Sequence, residues 1–269
     1  MSVAVGLLNF CVGAVYLSVG AITLIEMRRN WSRMGFSHFG AAWVVMLFTC
    51  GPHYFVHGEH MLFGGQQGGA LDLVAVSAAL PAGLLWFLLR LEAFRDGRGD
   101  RFIRGTPGWL AAMPVAGGIY VGAMIVLVAS LPGGDVLRLP EILSSLLFVA
   151  IYLVIGYYLA RTQLANRRPL GGWSLSGLML AAAFIGCAAM HGVFAAYTLT
   201  GVYPVEWHTG VVDWLAVPAA AYFLWVVQAL FRGTYRDWNQ AGRVVPPTAN
   251  AATIAQALPS AASSRATAT

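Results

Sequence analysis

Long apolar runs alternate with short polar joints along this chain. Runs at about 3–25, 38–58, 70–94, 108–131, 141–161, 173–199 and 208–231 each hold roughly 20 residues or more. At 1.5 Å per residue, an α-helix of that length crosses about 30 Å of hydrocarbon. A helix also satisfies every backbone group within one segment, which lipid demands. The pattern therefore predicts an all-α membrane protein with seven transmembrane helices.

The pattern also repeats. Residues 14–20 read AVYLSVG and residues 150–156 read AIYLVIG; residues 72–76 read DLVAV and residues 213–217 read DWLAV. Ser37 and Ser174, Gly40 and Gly177, and Cys50 and Cys187 match at a nearly constant offset. Spans 1–3 and 5–7 cross in the same sense because span 4 intervenes. This predicts a 3+1+3 parallel internal repeat, with units at about 3–94 and 141–231 and a linking helix at about 108–131. The seven-helix domain is expected over 1–240. Residues 241–269, rich in Ala, Thr, Ser and Pro and without aromatics, are expected to form a disordered cytoplasmic tail.

Composition agrees with that class and adds an orientation. Of 269 residues, 58% are hydrophobic and only 10% charged, and the mean hydropathy is +0.69; a soluble domain of this size is far more polar. Every basic residue is Arg, and every Arg except Arg138 falls on one side of a seven-span layout. That one-sided pattern puts the N-terminus outside and the C-terminus in the cytoplasm; the absence of Lys beside abundant Ala, Gly and Arg suggests a bacterial source, and so an inner membrane. The net charge of +5 then reflects topology, and no nucleic-acid partner is expected. No basic n-region precedes the first span and Arg28-Arg29 follow it, which predicts a retained helix. Cys11, Cys50 and Cys187 lie inside spans and suggest no disulfide framework.

Histidines and acids concentrate at one depth. Counted along their helices, His53 lies about 22 Å across the membrane, His57 about 28 Å and His191 about 27 Å. Asp72 begins span 3, and Asp213 lies about 8 Å below His208 on span 7. His53, His57 and His60 follow an i, i+4, i+7 spacing, one face within about 60° of arc. Two histidines at i, i+4 can chelate one metal ion, and carboxylates can complete or orient the set. Gly51-Pro52 weakens the span just below, where a turn commonly opens. The expected metal ligands are His53, His57, Asp72, His191 and His208, with Asp213 and Glu59 as candidate catalytic acid/base groups. Imidazole with carboxylate suits Zn, Cu or Fe, and haem is a further candidate cofactor. His38, Glu26 and Glu92 lie near the arginines and read as interfacial contacts.

Three function classes follow. The first is a transition-metal or haem protein acting in redox chemistry, sensing or metal handling. The second is a zinc-dependent intramembrane hydrolase or other embedded enzyme acting on a lipid-like substrate. The third is a proton- or metal-coupled transporter of a small molecule; almost no ionisable groups continue inward below Asp213, which counts against it. Opsin chemistry is excluded, because a retinal Schiff base needs a Lys. The 3+1+3 layout resembles the sugar-transporter and Pro-Gln-loop families, whose Pro-Gln signature this chain lacks. Thr49-xxx-His53 with Asp72 is similar to the Ser-xxx-His and Asp of the membrane hydrolases that include alkaline ceramidases. Their His-xxx-His on the last helix has only His208 with Asp213 as a counterpart here.

Overall fold

The computed structural model describes residues 1–65, 69–96, 100–131, 133–203 and 207–234, the side chains of residue 33 and of residues 207–212 excepted. Seven helices account for the seven apolar runs: α1 (Ser2–Met34), α2 (His38–Leu62), α3 (Ala70–Asp96), α4 (Gly108–Ala129), α5 (Leu139–Asn166), α6 (Leu175–Leu199) and α7 (Trp207–Arg232). All seven are long and apolar enough to span a membrane. The expected tail at 241–269 lies outside the described residues.

Helix starts follow local chemistry. The Ser37 hydroxyl accepts from Gly40 N (2.8 Å) to begin α2, and the Ser174 hydroxyl accepts from Gly177 N (2.9 Å) to begin α6. Each satisfies one of the N–H groups that the first turn leaves free. Asp72 works in the reverse direction, its carboxylate accepting from Gly69 N (2.8 Å) at the start of α3. Pro52 lies within α2, yet the helix runs unbroken through it, so the turn opening expected there does not occur.

Small residues set the closest helix approach. A Cβ on Gly13 would stand 2.9 Å from the Gly51 carbonyl oxygen, and one on Gly58 would stand 2.9 Å from that of Gly6. Glycines in register thus bring the α1 and α2 backbones together, a packing mode suited to lipid, where burying apolar area adds no drive. α1 packs on α2 and α3, while α5 packs on α6 and α7; α3 against α6 and α2 against α7 join the two groups. The main core fills the join with Trp43, Met46, Phe148, Tyr152, Phe184 and Phe223. α4 stands apart. It packs on α3, only Leu110 of it is buried, and Val115, Ile119, Ile125 and Val126 are exposed. Exposed aliphatic side chains around a helix are expected where the surroundings are lipid.

The two ends of the bundle differ. At the arginine-bearing end, β1 (Phe102–Ile103) pairs antiparallel with β2 (Trp173–Ser174), and Leu175 N donates to the Arg101 carbonyl at 2.9 Å. This ribbon ties the basic joint after α3 to the start of α6. Arg90 pairs with Glu26, and Arg101 with Glu92 at 2.5 Å, as their positions beside the arginines predict. His38 joins them, its Nδ1 lying 2.7 Å from the Tyr222 hydroxyl. At the other end, Arg138 donates to the Thr198 carbonyl (3.1 Å), which satisfies a group that α6 leaves free at its C-terminus.

Candidate metal centre

α2 presents Cys50, His53, Tyr54 and His57 toward a cavity that it shares with Cys187, Met190 and His191 of α6. Their spacing on α2 follows helical periodicity, so one face carries them all. The cavity offers about 20 Å³ of room, enough for a water or a metal ion.

Three side chains from three helices meet beside it. A nitrogen of His53, a nitrogen of His191 and a carboxylate oxygen of Asp213 all lie within 4.8 Å of one another. His53 Nδ1 stands 3.5 Å from Asp213 Oδ1. Two ligands on one tetrahedral ion, at bond lengths of about 2.1 Å, stand about 3.4 Å apart. The His53–Asp213 pair already has that separation, and the remaining distances need a shift of about 1 Å to close on one ion. The other Asp213 oxygen accepts from the Ser145 hydroxyl on α5 at 3.2 Å. His191 is fixed by packing, with its ring stacked on Phe148 at 4.5 Å and 20° and 5.4 Å from the His53 ring. His191 Nδ1 is buried and makes no hydrogen bond. A buried polar atom without a partner costs free energy, so this nitrogen fits a metal or a water. Two imidazoles and a carboxylate are a fitting donor set for a transition metal.

His57 and Asp72 form a second pair, lining the same cavity with Tyr203. His57 Nε2 lies 3.7 Å from Asp72 Oδ1, and the same oxygen accepts from the Tyr203 hydroxyl at 2.6 Å. Asp72 is fully buried and also holds the start of α3. Burial, and then the neighbouring Asp72 carboxylate, push the Tyr203 phenol above its ordinary value, so it stays a donor. This group pins the segment after α6 to the starts of α3 and the end of α2. Glu59 is half-exposed and lies 3.5 Å from His60, away from the three-residue meeting point. The His208 side chain lies outside the described residues.

A layer of tyrosines and thiols adjoins the centre, and the sequence reading did not single it out. The Tyr16 hydroxyl lies 3.2 Å from Cys187 Sγ, the Tyr152 hydroxyl lies 3.1 Å from Cys50 Sγ, and Tyr54 donates to Cys187 at 3.7 Å. The signal was present: Tyr16 and Tyr152 occupy matched places in AVYLSVG and AIYLVIG, and Cys50 matches Cys187. Asn9 also lines the cavity, with its Oδ1 buried and unbonded.

The fold and these side chains define a polytopic membrane protein of seven helices with a His/Asp group able to hold a metal. Comparison with protein families, with curated proteins and with solved structures finds no match to this chain.

Proposed function

We propose that this chain binds a transition-metal ion in a bacterial inner membrane, at the end of the bundle facing away from the cytoplasm, and serves redox chemistry or metal handling there. The observation that carries the reading is the meeting of His53, His191 and Asp213, contributed by α2, α6 and α7, with His191 Nδ1 buried and unbonded. Polar groups placed at such cost within apolar helices are the usual mark of function in membrane proteins.

The surroundings favour copper among the candidate metals. The thiols of Cys50 and Cys187 and the thioether of Met190 line the same cavity as the two histidines, and mixed imidazole and sulfur suits copper. The small cavity favours an ion over haem. The surface position of Glu59, paired with His60, takes one candidate acid/base group away from the centre, while Asp213 stands against His53 as a ligand would.

We also read the bundle as two parallel three-helix units, N-terminus outside. Reciprocal contacts support this: Tyr16 of the first unit meets Cys187 of the second, and Tyr152 of the second meets Cys50 of the first. The helix pairs agree, because exchanging α1, α2 and α3 with α5, α6 and α7 maps α3–α6 onto α7–α2. Orientation rests on the arginines.

Elemental analysis and an absorption spectrum of the purified protein test the reading. About one copper per chain is expected, falling to background in the His53→Ala, His191→Ala double variant. Protein that carries no transition metal, and takes none up on incubation, overturns it.

A further inference from the structure

One helical turn from the histidines, toward the arginine-bearing end, the same cavity is lined by sulfur. Cys50 precedes His53 on α2 by three residues, and Cys187 precedes His191 on α6 by four, a rise of about 5 Å in each case. Both thiols are free and buried, and Met190 lines the cavity with them. The group formed by His53, His191 and Asp213 includes neither thiol. The sulfurs therefore mark a second position in the cavity, and its two cysteines occupy matched places in the chain.

The hydroxyls around the sulfurs carry the argument further. A buried cysteine usually packs as a small apolar side chain, and a thiol sulfur is a weak acceptor. Yet three tyrosines direct their hydroxyls to these two atoms. The Tyr16 hydroxyl lies 3.2 Å from Cys187 Sγ, Tyr54 donates to Cys187 at 3.7 Å, and the Tyr152 hydroxyl lies 3.1 Å from Cys50 Sγ. A metal-bound thiolate carries negative charge and accepts hydrogen bonds far better than a thiol. Hydroxyls so placed are the outer support that orients and steadies a metal ligand. Ligand number then selects the ion. Structural zinc takes four protein ligands and iron–sulfur clusters four thiolates, whereas two thiols and one thioether make three. Soft sulfur in low number suits monovalent copper.

We propose that Cys50, Cys187 and Met190 form a second metal position, which takes monovalent copper one turn nearer the arginine-bearing end than the His/Asp group. This rests on the metal-binding reading of the cavity and deepens it, giving copper two stations along the bundle. Binding replaces two S–H bonds with two Cu–S bonds and releases two protons to solvent. The ion enters and stays monovalent, so no electron moves. Divalent copper, the form held in air, suits imidazole and carboxylate instead, so protein purified in air reports the first position alone.

The test is anaerobic titration of the full-length protein in detergent with cuprous ion, against a coloured cuprous chelator and with ascorbate present. About two ions per chain are expected in the wild type. About one is expected in each double variant, Cys50→Ser with Cys187→Ser and His53→Ala with His191→Ala. The ion kept by the histidine variant is expected to show sulfur and no imidazole in X-ray absorption, and to release about two protons on binding. The histidine variant leaves both thiols intact, so it decides the matter alone if the cysteine variant fails to fold. About one ion in the wild type, lost with the histidines, overturns the proposal while the metal-binding reading stands; about two ions kept by the cysteine variant overturn it as well. One ion, lost only with the cysteines, takes the histidines out of the ligand set and keeps the proposal. No cuprous binding in any of the three proteins overturns the proposal and the reading together.

Discussion

His53 Nδ1 on α2 faces Asp213 Oδ1 on α7 across 3.5 Å, although 160 residues separate them along the chain. Asp213 is held on its other side by Ser145, so its carboxylate is aimed as well as buried. Replacing it with Asn preserves shape and removes the charge. The Asp213→Asn protein is expected to bind copper at least about 100-fold more weakly, with Ser145→Ala costing about tenfold. Competition against a coloured chelator measures both; undiminished affinity in Asp213→Asn would remove the carboxylate from the ligand set.

Tyr203 and Asp72 belong to structure in this account. Tyr203→Phe leaves a buried Asp72 oxygen without its 2.6 Å donor, which is expected to destabilise the protein by about 1–3 kcal/mol. Thermal unfolding in detergent reads that loss, while metal content is expected to hold. Loss of metal at unchanged stability would instead draw His57 and Asp72 into the centre.

The reciprocal Tyr–Cys contacts give a symmetry test. Tyr16→Phe and Tyr152→Phe each remove one hydroxyl that faces a thiol. Similar destabilisation, on the order of 1 kcal/mol each, is expected in chemical unfolding. A large loss at one position with none at the other contradicts the pairing of the two units.

Orientation is tested by fusing reporters after residue 269. A green fluorescent reporter is expected to glow, and an alkaline phosphatase reporter to stay inactive, if the proposed topology puts the arginine-bearing joints in the cytoplasm. The opposite result reverses the molecule, and moves the histidine centre to the cytoplasmic face.

Much of this was legible beforehand, for identifiable reasons. The seven helices follow from apolar run length, which lipid makes nearly decisive. The depth of His53, His191 and Asp213 follows from rise per residue. Their grouping does not, because counting along a helix gives height without the angle at which helices face each other. His53 and His57 share a face of α2, yet His53 meets Asp213 and His57 meets Asp72. The placement of α4 beside α3, outside the six-helix body, was equally hidden, since a lipid-facing helix and a buried one are both apolar. The ribbon of β1 and β2 is too short, at two residues per strand, to leave a pattern.

The most direct test of the central claim is X-ray absorption of the copper-loaded protein. Two imidazoles bound at about 2.0 Å are expected, with scattering from the outer ring atoms, reduced to one imidazole in His191→Ala. Copper without imidazole scattering, or a spectrum unchanged by His191→Ala, would contradict a centre built on His53 and His191.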